Sequence, residues 1–345
     1  YIMPTRQKAN YKNNQFKQNK SASNGDSQSR KEIKTIFKSN SDRVQEVKEK
    51  LNSIDEKLIN LAERLDSPET IMEIKKVLEF QASFYNYSFH NQMFLFFQSI
   101  ERNYYLEQVA SFQQWKSLKK DNKENVHVRK GEHGFYVLVP VEYTIYERDE
   151  EGNYILDSEN EKIPELDENG EIKKGLTFKL GYVFDVNQTN AKELGIYKKL
   201  AYRNNETLID ESIMNKLIES IINRYKLNIE FKNIGAAGGY YKKSENLIVI
   251  NNSEEKTVAN KISTLFHELG HFLMHSSDED TFRRDKAEGE AEGFSYILSS
   301  FFGIENKSEL YIKSWGNNAD EFKATLENIS TTAKKAIREL NLEKI

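Results

Sequence analysis

Two histidines four residues apart, with a glutamate directly after the first, form the chemically richest run in the chain: Ile262-Ser-Thr-Leu-Phe-His267-Glu268-Leu-Gly-His271-Phe-Leu-Met-His275. The apolar residues around them predict a helix, and side chains four apart on a helix share one face, near enough to chelate one ion. Two imidazoles and a carboxylate suit zinc and leave a fourth position for water. Glu268, one residue round the helix from His267, is placed to take a proton from that water. Unpaired His and Glu would be costly to bury on so apolar a helix, which favours the metal reading over a solvated face. The expectation is a zinc metallopeptidase centre with His267 and His271 as ligands and Glu268 as catalytic base.

The third ligand is expected from the next helix, Ala287-Glu288-Gly-Glu290-Ala291-Glu292-Gly-Phe294. Glu288 and Glu292 share a face there, while Glu290 points elsewhere. Glu288 is taken as the ligand, with Glu292 as its rival. If Glu288 ligates, Glu292 is placed to accept a hydrogen bond from a ligand histidine and so fix its tautomer. His275 lies eight residues past His267, about 12 Å along a helix axis, too far for one ion to bridge. It reads as a capping or packing residue. The same donors also suit Mn2+ or Co2+. Upstream, Gly235-Ala-Ala-Gly-Gly-Tyr240-Tyr241 and Leu247–Ile250 suggest a turn and an edge strand beside the site. Such an edge can bind an extended peptide by strand addition.

These residues need a scaffold, and 345 residues suffice for two domains. The expected division is an arm at 1–41, a first domain at 42–200 and a second at 201–345. Residues 1–40 hold nine Lys and Arg against two acids among Asn, Gln and Ser, so the arm is expected to be basic and disordered. The absence of cysteine excludes disulfides and thiolate zinc sites. No run approaches the ~20 apolar residues that span a bilayer, so a soluble, cytoplasmic protein without a membrane partner is expected.

Periodicity supplies the elements. Val44, Val47, Leu51, Ile54, Leu58, Leu61 and Leu65 predict a helix over 42–65, laid on its own domain or forming a short coiled coil. Pro68 opens helical sequence to residue 100, rich in Phe, and a short helix holds Trp115. A period of two over 126–142 predicts a hairpin turning at Gly131 to Gly134. Residues 147–174 form an acidic, Asn/Gly-punctuated excursion before a strand at 177–186. The second half reads helix 207–226, strands 228–233 and 246–251, helices 255–276 and 286–302, then two more helices. Helices and strands are segregated, which makes the class α+β.

The His-Glu-Leu-Gly-His helix followed by Glu288-x-x-Ala291-x-x-Phe294 resembles ImmA/IrrE-type zinc peptidase domains, a match that supports Glu288 as ligand. Earlier motifs resemble the N-terminal domain of ArdC antirestriction proteins. They are Tyr87-Ser88-x-x-Asn91 with Gln98, Phe112-x-x-Trp115, Val128-x-Lys130-Gly131-Glu132-x-Gly134 and Val183-Phe-Asp-Val-x-Gln-Thr189. The resemblance covers roughly residues 42–340. It implies a helical and β-hairpin domain that binds single-stranded DNA, followed by a zincin-like metallopeptidase domain. It also implies a role in protecting incoming plasmid or phage DNA from restriction. Candidate DNA contacts are Asn91, Trp115, Arg129 and Lys130, with Phe135 or Tyr136 as stacking faces. Trp115 and most of the Phe residues equally suit a core. The expected partners are single-stranded DNA and a protein or peptide substrate. The alternatives are a regulatory protease that cleaves a repressor, and a DNA-binding module whose metal site is not catalytic.

Overall fold

The computed structural model describes residues 40–120, 124–197, 209–275, 284–305, 312–316 and 318–345. Residues 1–39 of the expected basic arm lie outside these residues, as do residues 198–208 around the expected domain boundary.

Three helices open the described chain: α1 (Asn40–Ala62), α2 (Pro68–Ser83) and α3 (Phe89–Glu101). The helical run expected from Pro68 to 100 is broken in two. Ser67 caps α2 by accepting from the Thr70 amide, with Pro68 in the first turn, where its missing N–H costs nothing. Ser88 does the same for α3, accepting from the Asn91 amide. That second cap turns the chain so that α3 is covered nearly all round. Phe89, Met93, Phe94, Phe96 and Phe97 enter the main core, while Leu95 joins a second cluster with Phe84, Leu106, Phe135 and Val183.

Next come β1 (Val109–Ser111), α4 (Phe112–Ser117), the two-residue strands β2 (Lys119–Lys120) and β3 (Glu124–Asn125), then β4 (Phe135–Thr144) and β5 (Lys174–Asp185). Here the structure corrects the hairpin expected at 126–142. Residues 126–134 do not pair with β4. The partner of β4 is β5, antiparallel from Phe135↔Val183 to Thr144↔Lys174, and β1 pairs with the other edge of β5. The free edge of β4 is closed by side chains of α3. Asn91 donates to the Leu138 carbonyl and accepts from its amide, and Gln98 does the same for Tyr136. Two amides, two helical turns apart, thus substitute for a neighbouring strand and protect an exposed edge.

Between β4 and β5 the acidic excursion forms three tight loops. Asp149, Asp157 and Asp167 each accept with one carboxylate oxygen from the amides two and four residues on. The residue three past each Asp (Gly152, Asn160, Gly170) is left-handed, as such a turn demands. The excursion closes where it began, with the Ile145 amide on the Lys173 carbonyl at 3.0 Å.

The second half holds α5 (Glu211–Tyr225), β6 (Asn228–Lys232), β7 (Gly239–Lys242), β8 (Leu247–Asn251), α6 (Val258–His275), α7 (Arg284–Phe301) and α8 (Ala319–Glu339). The sheet order is β6-β8-β7, with β6 parallel and β7 antiparallel to β8. The edge strand expected at Leu247–Ile250 is therefore the buried centre, and the edges are β6 and β7, the latter with Tyr240 and Tyr241. Helices α6 and α7 run antiparallel, since Ser263 meets Ser295 and Ser299 while Gly270 meets Ala291. A Cβ on Gly270 would stand 3.1 Å from the Ala291 Cα, so glycine sets how closely the two helices cross.

The main core joins both halves. It holds Ile54, Val77 and Phe94 together with Phe266, Phe294 and Phe322. Hydrogen bonds from Tyr296 to Glu79 and from Ser330 to Gln92 tie α7 and α8 to α2 and α3. Among the described residues no helix is long and apolar enough to cross a membrane.

Candidate metal centre

Where α6 crosses α7, three donor atoms meet. His267 Nε2 and His271 Nε2 are 3.2 Å apart, and Glu288 Oε2 lies 3.4 Å from the first and 3.5 Å from the second. Four donors at bonds of about 2.0–2.1 Å around a tetrahedral zinc lie about 3.3–3.5 Å from one another. The three atoms thus form one face of such a tetrahedron. The donor chemistry fits a divalent cation. So does the local field. Burial pulls the His267 pKa down, yet Glu288, Glu268 and Glu292 outweigh it and hold the imidazole above its ordinary value. The two imidazoles facing it hold the Glu288 carboxyl far below the usual range.

Glu268 is buried beside this face and accepts a hydrogen bond from the Tyr241 backbone on β7. Burial pushes its pKa up, while His267 and His271 pull the other way. Gly239 lets β7 come this close. A Cβ there would sit 2.7 Å from Thr264 Cγ2 and 3.4 Å from the Glu268 side chain. Glu292 Oε2 faces the outer nitrogen of His267, Nδ1, at 3.6 Å, just beyond a hydrogen bond. The structure therefore brings together His267, Glu268, His271, Glu288 and Glu292. Sequence reasoning missed Glu290, which is not turned to solvent but is buried against His275. A signal existed, because His275 continues the four-residue spacing that His267 and His271 begin.

The nucleic-acid candidates fare differently. Two corrections are needed. Trp115 is 2% exposed and donates its indole N–H to the Phe184 carbonyl, within a cluster of Val126, Val186 and Leu194. Phe135 is 1% exposed and lies under the Arg102 guanidinium. A ring enclosed by protein has no face for a base, so neither can stack in this fold. Asn91 is engaged on the edge of β4, as described above. Tyr136 is half-buried, edge-on to Phe94 and beneath the Lys50 ammonium. Arg129 donates to the Asn187 carbonyl and pairs with Glu193, and Lys130 is exposed at the neighbouring turn.

Several aromatic rings face outward instead, and two of them near these residues were not anticipated as contacts. Tyr182 is 59% exposed and Phe112 46%. Tyr182 shares a strand face with Phe184, whose ring lies 6.3 Å from that of Phe112, and Gly134 packs against both β5 residues. Lys116, on the same face of α4 as Phe112, is also exposed. The alternation of Phe178, Tyr182 and Phe184 along β5 was the available signal.

A three-stranded sheet over crossed helices, with HELGH on one and a glutamate facing it from the other, defines a zincin-like peptidase fold. Residues 223–307 match the family described as IrrE N-terminal-like domain, and residues 42–184 match the N-terminal domain of anti-restriction factor ArdC. The chain thus has an ArdC-like architecture, with an ArdC-type N-terminal domain followed by a peptidase-family domain. Among solved structures it is similar to the metal-free antirestriction ArdC protein from plasmid R388, at 22% identity over 74% of this chain and 84% of that one, with a TM-score of 0.45. For the Mn(II)-bound form of that protein the identity is 18%, over 84% of this chain and 96% of that one, with the same TM-score of 0.45. Among curated proteins none matches the chain significantly.

Proposed function

We propose that this chain is an antirestriction-type protein of a mobile element, in which a single-stranded-DNA-binding domain is joined to a metal-dependent peptidase. The observation that carries the hydrolytic half is the triangle of His267 Nε2, His271 Nε2 and Glu288 Oε2 at 3.2–3.5 Å, with buried Glu268 alongside. His267, His271 and Glu288 would hold the ion, with zinc first and manganese or cobalt as alternatives. When bound, such an ion lowers the pKa of a coordinated water towards ~7 and polarises a carbonyl.

The chain's own residues do the rest. Glu268, fixed by the Tyr241 amide, takes the water's proton on its carboxylate and returns it to the leaving amine. Glu292 faces His267 Nδ1 and favours a proton there, which leaves Nε2 bare for the ion. The outer edge of β7 offers unpaired backbone groups to an extended peptide running past Glu268. For the DNA half, Phe112 and Tyr182 supply stacking faces, with Lys116 and Lys130 beside the strand's phosphates.

Metal analysis tests the centre. His271→Ala is expected to reduce zinc affinity by more than about 100-fold, since losing even the outer hydrogen-bond partner of a ligand costs about 10–100-fold. Metal content near wild type in that variant would remove the reading.

A further inference from the structure

The last turn of α6 makes a contact that the hydrolytic scheme does not use. His271 Nδ1 lies 3.3 Å from His275 Nδ1, and His275 Nε2 lies 2.9 Å from Glu290 Oε2. Both outer side chains are nearly covered, at 9% and 7% exposed. The second oxygen of Glu290 faces the Lys286 ammonium at 3.9 Å.

The polarity of this chain of contacts follows from its carboxylate end. A carboxylate only accepts, so His275 Nε2 carries the proton. In a neutral His275, Nδ1 is then a lone pair and accepts from His271 Nδ1–H. His271 Nε2 is left bare, 3.2 Å from His267 Nε2 and 3.5 Å from Glu288 Oε2. The reverse polarity would place a proton on His271 Nε2, inside the donor triangle, where it would block coordination.

We propose that the buried His275–Glu290 pair is a positioning device. It holds His271 in the Nδ1–H tautomer and turns the Nε2 lone pair toward the centre. The proposal rests on reading His267, His271 and Glu288 as a metal centre. The two ligand histidines then have outer partners of different kinds. His267 has a carboxylate, and His271 has an imidazole that relays one.

Two measurements test it on the full chain. Long-range nitrogen–proton NMR of 15N-histidine-labelled, metal-free protein is expected to show His271 protonated on Nδ1. Chelator competition is expected to show zinc affinity lowered about 10–100-fold in Glu290→Leu and in His275→Phe, with the double variant no weaker than the worse single one. Glu290→Gln, which keeps an acceptor, is expected to lose less than Glu290→Leu. A purely structural role would lower thermal stability without moving the tautomer. A proton on His271 Nε2 in the wild type overturns the proposal. So do folded variants within about twofold of wild-type affinity, or losses that simply add. Should the wild type bind no zinc or manganese, the metal reading fails, while the tautomer still decides the relay. The tautomer also decides it if the variants do not fold.

Discussion

Both halves of this molecule bury polar side chains, but they aim them differently. Where α6 crosses α7, the imidazoles and carboxylates face one another across a gap of ionic size, and their lone pairs converge. Around β4 and β5, the equally prominent polar residues close onto backbone. Asn91 and Gln98 edge β4. Asp185 accepts from the amides of Glu107, Gln108 and Asn187, and Gln188 reaches the Asp185 amide and the His133 carbonyl. The first arrangement leaves capacity for a guest, whereas the second uses it up internally. Motif residues such as Asn91, Gln98 and Asp185 therefore mark architecture, and the DNA contacts proposed above fall to exposed residues, Phe112, Lys130 and Tyr182.

The sharpest way to break this contrast is Glu268→Gln. Loss of a general base is expected to lower peptide hydrolysis about 10²–10⁴-fold, measured by turnover of a peptide library, with zinc content and oligonucleotide affinity unchanged. Hydrolysis near wild type would put the base elsewhere. Next in size is Trp115→Ala, which empties a buried site and is expected to cost about 3–5 kcal/mol in denaturant unfolding. A variant of native stability that had lost only DNA affinity would return Trp115 to the interface. The smallest effect sharpens the contrast from the other side. Tyr182→Ala should leave stability nearly unchanged yet weaken single-stranded DNA binding by about 1–3 kcal/mol, read by fluorescence titration at fixed salt. Unaltered affinity in that variant would move the contact surface away from β5.

The helix spacing made the centre legible. The expectation for His267, Glu268 and His271 needed only a period of 3.6 and knowledge of which side chains bind metal. Spacing left Glu288 and Glu292 as rivals, whereas the family resemblance favoured Glu288. Gly270 and Ala291 let the helices approach. Strand partnership was less legible, because alternation shows that a segment is extended but not what it pairs with. The pattern over 126–142 runs through Gly131 and Gly134 as if turning there, but the true partner of β4 lies beyond the three-loop excursion. The identity of the sheet edge failed for the same reason. β8 is a continuous apolar run because it is central, and β7, with Tyr240 and Tyr241, covers one side of it. Aromatic residues were ambiguous in principle, since Trp115 and Tyr182 differ in burial and not in type.

The excursion between β4 and β5 leaves and re-enters the sheet at adjacent positions, Thr144 and Lys174, and each of its loops is folded by its own aspartate. Such an appendage is a graft whose roots touch. It can be trimmed to a short turn, lengthened, or exchanged for a fluorophore-bearing tag while the register of the parent strands stays fixed, which makes 145–173 the natural handle for attaching a reporter to this molecule.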